Sequence, residues 1–321
     1  MANPASLNGA PSVSIVIPVY GTGECLEEIV ARADQALLEA GLRCPQVVLV
    51  DDHGPGDSWS IIQRLCRERE ATVGLQLMRN FGQHNAIMAG FHQSVGSVVI
   101  TMDDDLQHVP ECIPDLLSPI LAGNVDVVYG RYRTKKHAAG RNLGSAIIST
   151  FYRVIFGLKC SPSALRAIRK EVVENIVRYD LNFTYIDGLL AWNTTRIQSV
   201  DVVHRERQSG KSGYTLRGLL FLSINLFTNF SLIPLQLCSL FGAAASGMGI
   251  VLGCWYLITG LTGRIEVPGY ASTIVSIFVF GGAQLMCLGV IGEYVGRIHM
   301  NINRKPQYAI RTITGATENR G

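Results

Sequence analysis

None of the eight cysteines, at positions 25, 44, 66, 112, 160, 238, 254 and 287, forms a Cys-x-x-Cys pair or shows metal-ligand spacing. That excludes a zinc ribbon or a disulfide framework, and implies reduced, mostly buried thiols in a cytosol-facing chain. The opening residues, Met1 to Pro11, hold neither a basic segment nor an apolar core, so no cleaved leader is expected. Charge is sparse, at 17% of residues. It is absent from Gly218 to Gly263 and again from Val267 to Gly292, with only Arg264 and Glu266 between. Each run contains a stretch of about 20 apolar residues, enough to cross roughly 30 Å of hydrocarbon. The alternative is a hydrophobic hairpin buried in a large soluble core. These runs, rather than a uniformly apolar chain, account for the mean hydropathy of +0.24.

The flanks of the runs set an orientation. Spans are expected over Leu237–Leu261 and Tyr270–Gly292. Arg217 precedes the first span, Arg297, Arg304, Lys305 and Arg311 follow the second, and Arg264 alone lies between. The positive-inside rule then places both termini in the cytoplasm. Gly242, Gly247, Gly249, Gly253, Gly281 and Gly282 permit close helix packing, within the hairpin or between protomers.

The remaining charge is divided unevenly. Residues 1–126 carry 6 Lys+Arg against 16 Asp+Glu, a net of −10, and residues 127–217 carry 16 against 6, a net of +10. The acidic part suits a cation; the basic part suits phosphate or an anionic membrane face. Nucleic acid is not an expected partner, because no reading motif accompanies the basic residues.

Within the first part, apolar β-rich runs alternate with helical periodicity. Strands are expected at Val13–Val19, Gln46–Val50, Leu75–Met78, a run beginning near Ser97 and Val125–Gly130. Helices are expected from Leu26 to Leu37, from near Trp59, over Ala86–Val95 and over Glu111–Ala122. The alternation predicts an α/β domain with a mostly parallel sheet. The first turn, Gly21-Thr-Gly23, is a poor dinucleotide fingerprint because Leu26 stands where a third glycine belongs.

The fourth strand ends in Asp103-Asp-Asp105. Buried parallel strands deliver such residues to the carboxyl edge of the sheet, where ligands bind. The Asp103 and Asp105 pair offers oxygen ligands to Mg²⁺ or Mn²⁺, although an acidic surface loop would read the same way. Beyond Gly130, Arg131, Arg133, Lys135, Lys136 and Arg141 precede an amphipathic segment, Leu143–Leu158, which suits a membrane surface or the sheet equally. Val200–Tyr214, with His204, Arg205, Arg207 and Lys211, reads as a basic loop, and Leu219–Phe230 as an interfacial helix.

Several segments together resemble the family 2 glycosyltransferases of GT-A fold, in the bacterial branch that loads a sugar onto polyprenyl phosphate. They are Ile15-Val-Ile-Pro-Val-Tyr20, Val48-Leu-Val-Asp-Asp52, Arg79-Asn-Phe-Gly-Gln-His-Asn-Ala-Ile-Met-Ala-Gly90, Asp103-Asp-Asp-Leu-Gln107, Gly210-Lys-Ser-Gly-Tyr214 and Gly292-Glu-Tyr-Val-Gly-Arg297. The resemblance implies a Rossmann-like catalytic domain over 1–215, an interfacial helix over 216–232, two transmembrane helices within 233–298 and a cytosolic tail over 299–321, in the bacterial inner membrane. It implies that Pro18, Val19, Tyr20, Asp52 and Asp103 line the nucleotide site, with Asp52 accepting from the base. Asp103 and Asp105 would hold Mg²⁺ or Mn²⁺ for catalysis, Arg133, Arg141, His204 and Arg207 the acceptor phosphate, and Lys211 and Ser212 would close over the donor. The implied partners are a nucleotide sugar, with UDP by family habit, undecaprenyl phosphate, the bilayer and further copies of the chain as a tetramer.

Three departures stand out. Gly21-Thr22 replaces the family's Asn-Glu, so a ribose contact is lost or moved to Glu24. The residues before Leu165-Arg166 carry no carboxylate where relatives place an aspartate, and lysine in the closing loop is displaced to position 211. The second departure implies an inverting displacement that needs no side-chain base, with Asp187 the nearest spare carboxylate. A catalytically altered scaffold protein is the competing reading. A processive polysaccharide synthase is disfavoured, because two spans form no ready polymer channel.

Overall fold

The computed structural model describes residues 11–21, 23–42, 45–132, 156–157, 160, 162–181, 184–202, 233–262, 269–303 and 305–315. The chain divides into two units: residues Met1–Ser212 with Lys305–Gly321, and residues Gly213–Arg304.

The first unit is built on an eight-stranded mixed sheet. In chain order its elements are β1 (Val13–Val19), α1 (Leu26–Glu39), β2 (Gln46–Asp51), α2 (Ser58–Glu68), β3 (Thr72–Leu77), α3 (Gln83–Gln93), β4 (Val98–Thr101), α4 (Ile113–Leu121), β5 (Val127–Tyr132), β6 (Arg166–Arg169), α5 (Lys170–Ile176), α6 (Ile186–Asn193) and β7 (Ile197–Val202). The second unit contributes α7 (Ile233–Leu261) and α8 (Tyr270–Ile302), and the chain then returns to the sheet as β8 (Ile310–Gly315). Strand order is β7-β5-β6-β4-β1-β2-β3-β8. β1 pairs in parallel with β2 and β4, β2 with β3, and β5 with β7, while β6 and β8 run antiparallel to their neighbours.

All seven residues of β1 are buried, as a parallel strand covered on both faces requires. Its side chains alternate between two cores. Ile15, Ile17 and Val19 pack with Leu26, Ile29 and Leu37 of α1 on one face, and Val16 packs with Ile87, Met88 and Phe91 of α3 on the other. The result is three layers. The loops after β1, β2, β3 and β4 come together at one sheet edge, where β1 lies between β2 and β4 and the strand order reverses.

The expected α/β series is present with shifted bounds: β3 begins at Thr72 rather than Leu75, and α3 at Gln83 rather than Ala86. The segment expected as a basic loop from Val200 is still strand through Val202, paired in register with Tyr132. The larger difference is the tail. Residues expected as a separate cytosolic extension instead supply β8, registered against β3 from Leu77↔Ile310 to Val73↔Gly315. Tyr308, Ile310 and Ile313 pack on the α3-side core, which is the apolar gain that draws the strand in. In the second unit, α7 and α8 are long and apolar enough to cross a membrane. The proposed membrane-surface helix at 143–158, apart from residues 156 and 157, and the interfacial helix at 216–232 lie outside the described residues.

Candidate active site

A cleft of about 280 Å³ opens at the edge where the four loops meet. Pro18 and Val19 end β1 and Tyr20 follows it, Asp52 follows β2, Asn80, Gly82 and Gln83 follow β3, and Asp103, Asp104 and Asp105 follow β4. The sequence-expected residues Pro18, Val19, Tyr20, Asp52, Asp103 and Asp105 therefore share one wall-to-wall site. Arg133, Arg141, His204, Arg207, Lys211 and Ser212 lie outside the described residues.

Two of the four loops are held in unusual backbone geometry. Among the described residues, His53 and Leu106 are the non-glycine residues with left-handed φ, at 55° and 56°. Each directly follows a carboxylate of the cleft, Asp52 and Asp105. Such conformations persist only where surrounding structure enforces them. Asp52 is buried, and its two oxygens accept the N–H groups of Phe81 at 2.7 Å and Gly82 at 2.8 Å. The carboxylate thus fixes the start of α3, with Gly82 at φ 89° turning the chain into the helix. Burial raises its pKa, and the two N–H bonds oppose the shift.

The Asp103 carboxylate accepts from Gln83 Nε2 at 2.6 Å. Burial, then the neighbouring Asp105 charge, pushes its pKa up to about 7. Asp105 accepts both the N–H and Nε2 of Gln107, at 3.1 and 2.7 Å, in a tight local turn. His108, which the sequence reading missed, completes the cluster: one ligand atom each from Asp103, Asp105 and His108 lie within 4.8 Å of one another. Two carboxylates and an imidazole fit a divalent cation of the Mg²⁺ and Mn²⁺ kind, the imidazole being better suited to Mn²⁺. Asn80, Gly82, Gln83 and Asp104 were also missed as site residues. All four lie inside the family-like segments that begin at Arg79 and Asp103, so the signal was present without individual roles.

Behind this edge lies a buried ionic row. Arg166 of β6, 2% exposed, is registered between Thr101 of β4 and Tyr129 of β5. Its Nε donates to Thr101 Oγ1 at 2.9 Å, and its guanidinium pairs with Asp187 in the first turn of α6. Tyr129 donates its hydroxyl to the same carboxylate at 2.9 Å. Asp187, expected as a spare carboxylate, is therefore committed to a buried pair, because a guanidinium sequestered from water requires a counter-ion.

His84, beside this row, accepts the Ile186 N–H on Nδ1 at 3.4 Å and meets the Tyr185 ring edge-on at 4.9 Å. Burial lowers its pKa to about 4; Asp187 opposes that shift and Arg166 adds to it. A histidine whose folded pKa lies below its unfolded value contributes stability above the unfolded value, near 6.5, and loses it as pH falls toward the folded one. Melting curves from pH 7 to pH 5 should therefore show a falling transition for the native chain and a flatter response for His84→Gln.

A mostly parallel sheet with an aspartate-rich cleft at the carboxyl ends of β1, β2 and β4 is the build of a GT-A glycosyltransferase. The Glycosyl transferase family 2 model matches residues 14–176, and the chain belongs to that family. It is 34% identical to the undecaprenyl-phosphate 4-deoxy-4-formamido-L-arabinose transferase of Shewanella sediminis, over 94% of this chain and 92% of that protein. It is 33% identical to the protein of the same name from Pectobacterium atrosepticum, over 95% of each. Among solved structures, glucosyl-3-phosphoglycerate synthase from Mycobacterium tuberculosis superposes with a TM-score of 0.49 at 18% identity, covering 68% of this chain and 76% of that one. The fold class and family implied by the sequence segments are those the chain has, and the protein is an enzyme of the glycosyltransferase class.

Proposed function

We propose that the enzyme transfers a sugar from a nucleotide sugar, UDP-linked by family habit, to undecaprenyl phosphate, with inversion at the anomeric carbon. The work is placed at the cytoplasmic face of the bacterial inner membrane, and the product is a lipid-linked sugar for cell-envelope glycan modification. The observation that carries this reading is the convergence of Pro18, Val19, Tyr20, Asp52, Asp103 and Asp105 on one cleft, in a chain with two spans and relatives named as undecaprenyl-phosphate sugar transferases.

Asp103, Asp105 and His108 would hold Mg²⁺ or Mn²⁺, which supplies positive charge against the diphosphate leaving group. Tyr20 and Asp52 would wall the base, and Asn80 and Gln83 line the same cleft. A lipid phosphate has a second pKa near 6 and is already mostly dianionic at neutral pH, so it attacks without a dedicated base. The engagement of Asp187 with Arg166 and Tyr129 accords with that chemistry. What the protein supplies is alignment of the two reactants.

The test is a panel of nucleotide sugars offered to the full-length protein in nanodiscs with undecaprenyl phosphate and MgCl₂ or MnCl₂, read by the mass of the glycolipid. One donor should give a lipid-linked sugar together with free nucleoside diphosphate, and a chelator should stop both. Transfer that persists after chelation, or an absence of any lipid product across the panel, overturns the proposal.

A further inference from the structure

The three consecutive aspartates do not share one task. Asp103 and Asp105 lie with His108 in the cation cluster, whereas Asp104 turns to the neighbouring loop and accepts the Tyr20 N–H on Oδ2 at 3.2 Å. That N–H belongs to the Val19–Tyr20 peptide, and the next peptide, Tyr20–Gly21, is confined by Gly54 in the loop after β2. A Cβ at position 54 would stand 2.9 Å from Gly21 N, 3.0 Å from Tyr20 C and 3.1 Å from Tyr20 Cα, so only glycine permits this approach. A Cβ at Gly21 would lie 3.9 Å from Asp104 Oδ2, in ordinary contact. Tyr20 itself is 57% exposed and lines the cleft. An exposed ring followed by glycine adds little packing to hold the backbone at Tyr20. Asp104 and Gly54 supply the fixation from the loops after β4 and β2.

We propose that Asp104 is a positioning residue for the donor nucleotide: it holds the Tyr20 wall in place through the Tyr20 backbone N–H and takes no part in cation binding. The proposal rests on the reading of the cleft as a nucleotide-sugar site. It also ties the loop that carries the cation ligands to the loop that carries the nucleotide wall, so disorder in one is transmitted to the other. The bland alternative, a solvated acid between two ligands, gives no reason for the Tyr20 bond.

The test uses full-length protein in nanodiscs with UDP and GDP as probes. Nucleotide affinity is measured by calorimetry in saturating MnCl₂, and Mn²⁺ affinity alone by the electron paramagnetic resonance signal of free Mn²⁺. Asp104→Ala should weaken nucleotide binding about tenfold, the loss of one charge-assisted hydrogen bond, and leave Mn²⁺ affinity within about twofold. Asp104→Asn, which keeps an acceptor oxygen, should restore most of the nucleotide affinity. Gly54→Ala, pressing on the adjoining Tyr20–Gly21 peptide, should reproduce the Asp104→Ala pattern. The proposal is overturned if Asp104→Ala binds nucleotide as the native chain does, if Asp104→Asn is as weak as Asp104→Ala, or if Mn²⁺ affinity falls in step with nucleotide affinity. Failure of the native chain to bind either nucleotide removes the donor-site reading itself, a result separable from all of these.

Discussion

Replacement of Asp105 by Asn should lower sugar transfer by at least ~10²-fold, since a cation at a developing diphosphate charge is worth several kcal/mol and each 1.36 kcal/mol is a factor of ten. The fold should survive the change. Asp105 is only partly buried, it accepts both Gln107 donors within its own turn, and Asn retains an acceptor oxygen for one of them. Neutralising one member of the triplet also relieves the repulsion that raises the Asp103 pKa. The melting temperature without added metal should therefore be unchanged or higher in the variant, and MnCl₂ should raise it in the native protein only. Transfer at the native rate in Asp105→Asn would dismiss the cation from the mechanism.

Breaking the Arg166–Asp187 pair should be the most destabilising single change in the catalytic unit. Both partners are buried, at 2% and 6% exposure. Arg166→Met leaves a buried carboxylate without its counter-ion, and Asp187→Asn leaves a buried guanidinium, either costing about 3–5 kcal/mol. For a unit of this size that lowers the melting temperature by roughly 10 °C. The double variant Arg166→Met/Asp187→Leu should lose less than the sum of the singles, because no charge is then stranded. The same experiment separates structure from catalysis at Asp187. A general base would show as lost turnover at unchanged melting temperature, a counter-ion as lost stability.

The sequence made some of this legible and hid the rest for physical reasons. β1, β2, β4 and β5 were readable because a parallel strand covered on both faces must be a near-continuous apolar run, and the aspartates that end β4 announce an edge. β6 was not readable. It is four residues long, Arg-Ala-Ile-Arg, and its arginines are tolerated only because Asp187 and the carbonyls of Ile120 and Val125 come from distant elements to meet them. β8 was missed because Ile-Arg-Thr-Ile-Thr-Gly is short and follows a long charge-free region, so it reads as a polar tail. At the site, the residues whose chemistry is local were found. Gln83 and Asp104 meet partners on other loops, and His108 meets Asp103 and Asp105 only through the fold of their shared loop.

The return of β8 to the sheet fixes an order of events during synthesis. β3 is made early, but its partner strand emerges from the ribosome only after both helices of the apolar hairpin have been translated. Until then the nascent catalytic unit carries an open edge whose backbone N–H and C=O groups can capture a strand from another chain. Insertion of the hairpin into the bilayer and closure of the catalytic sheet are therefore successive steps, and a soluble fragment cut before Ile233 retains the unclosed edge for good.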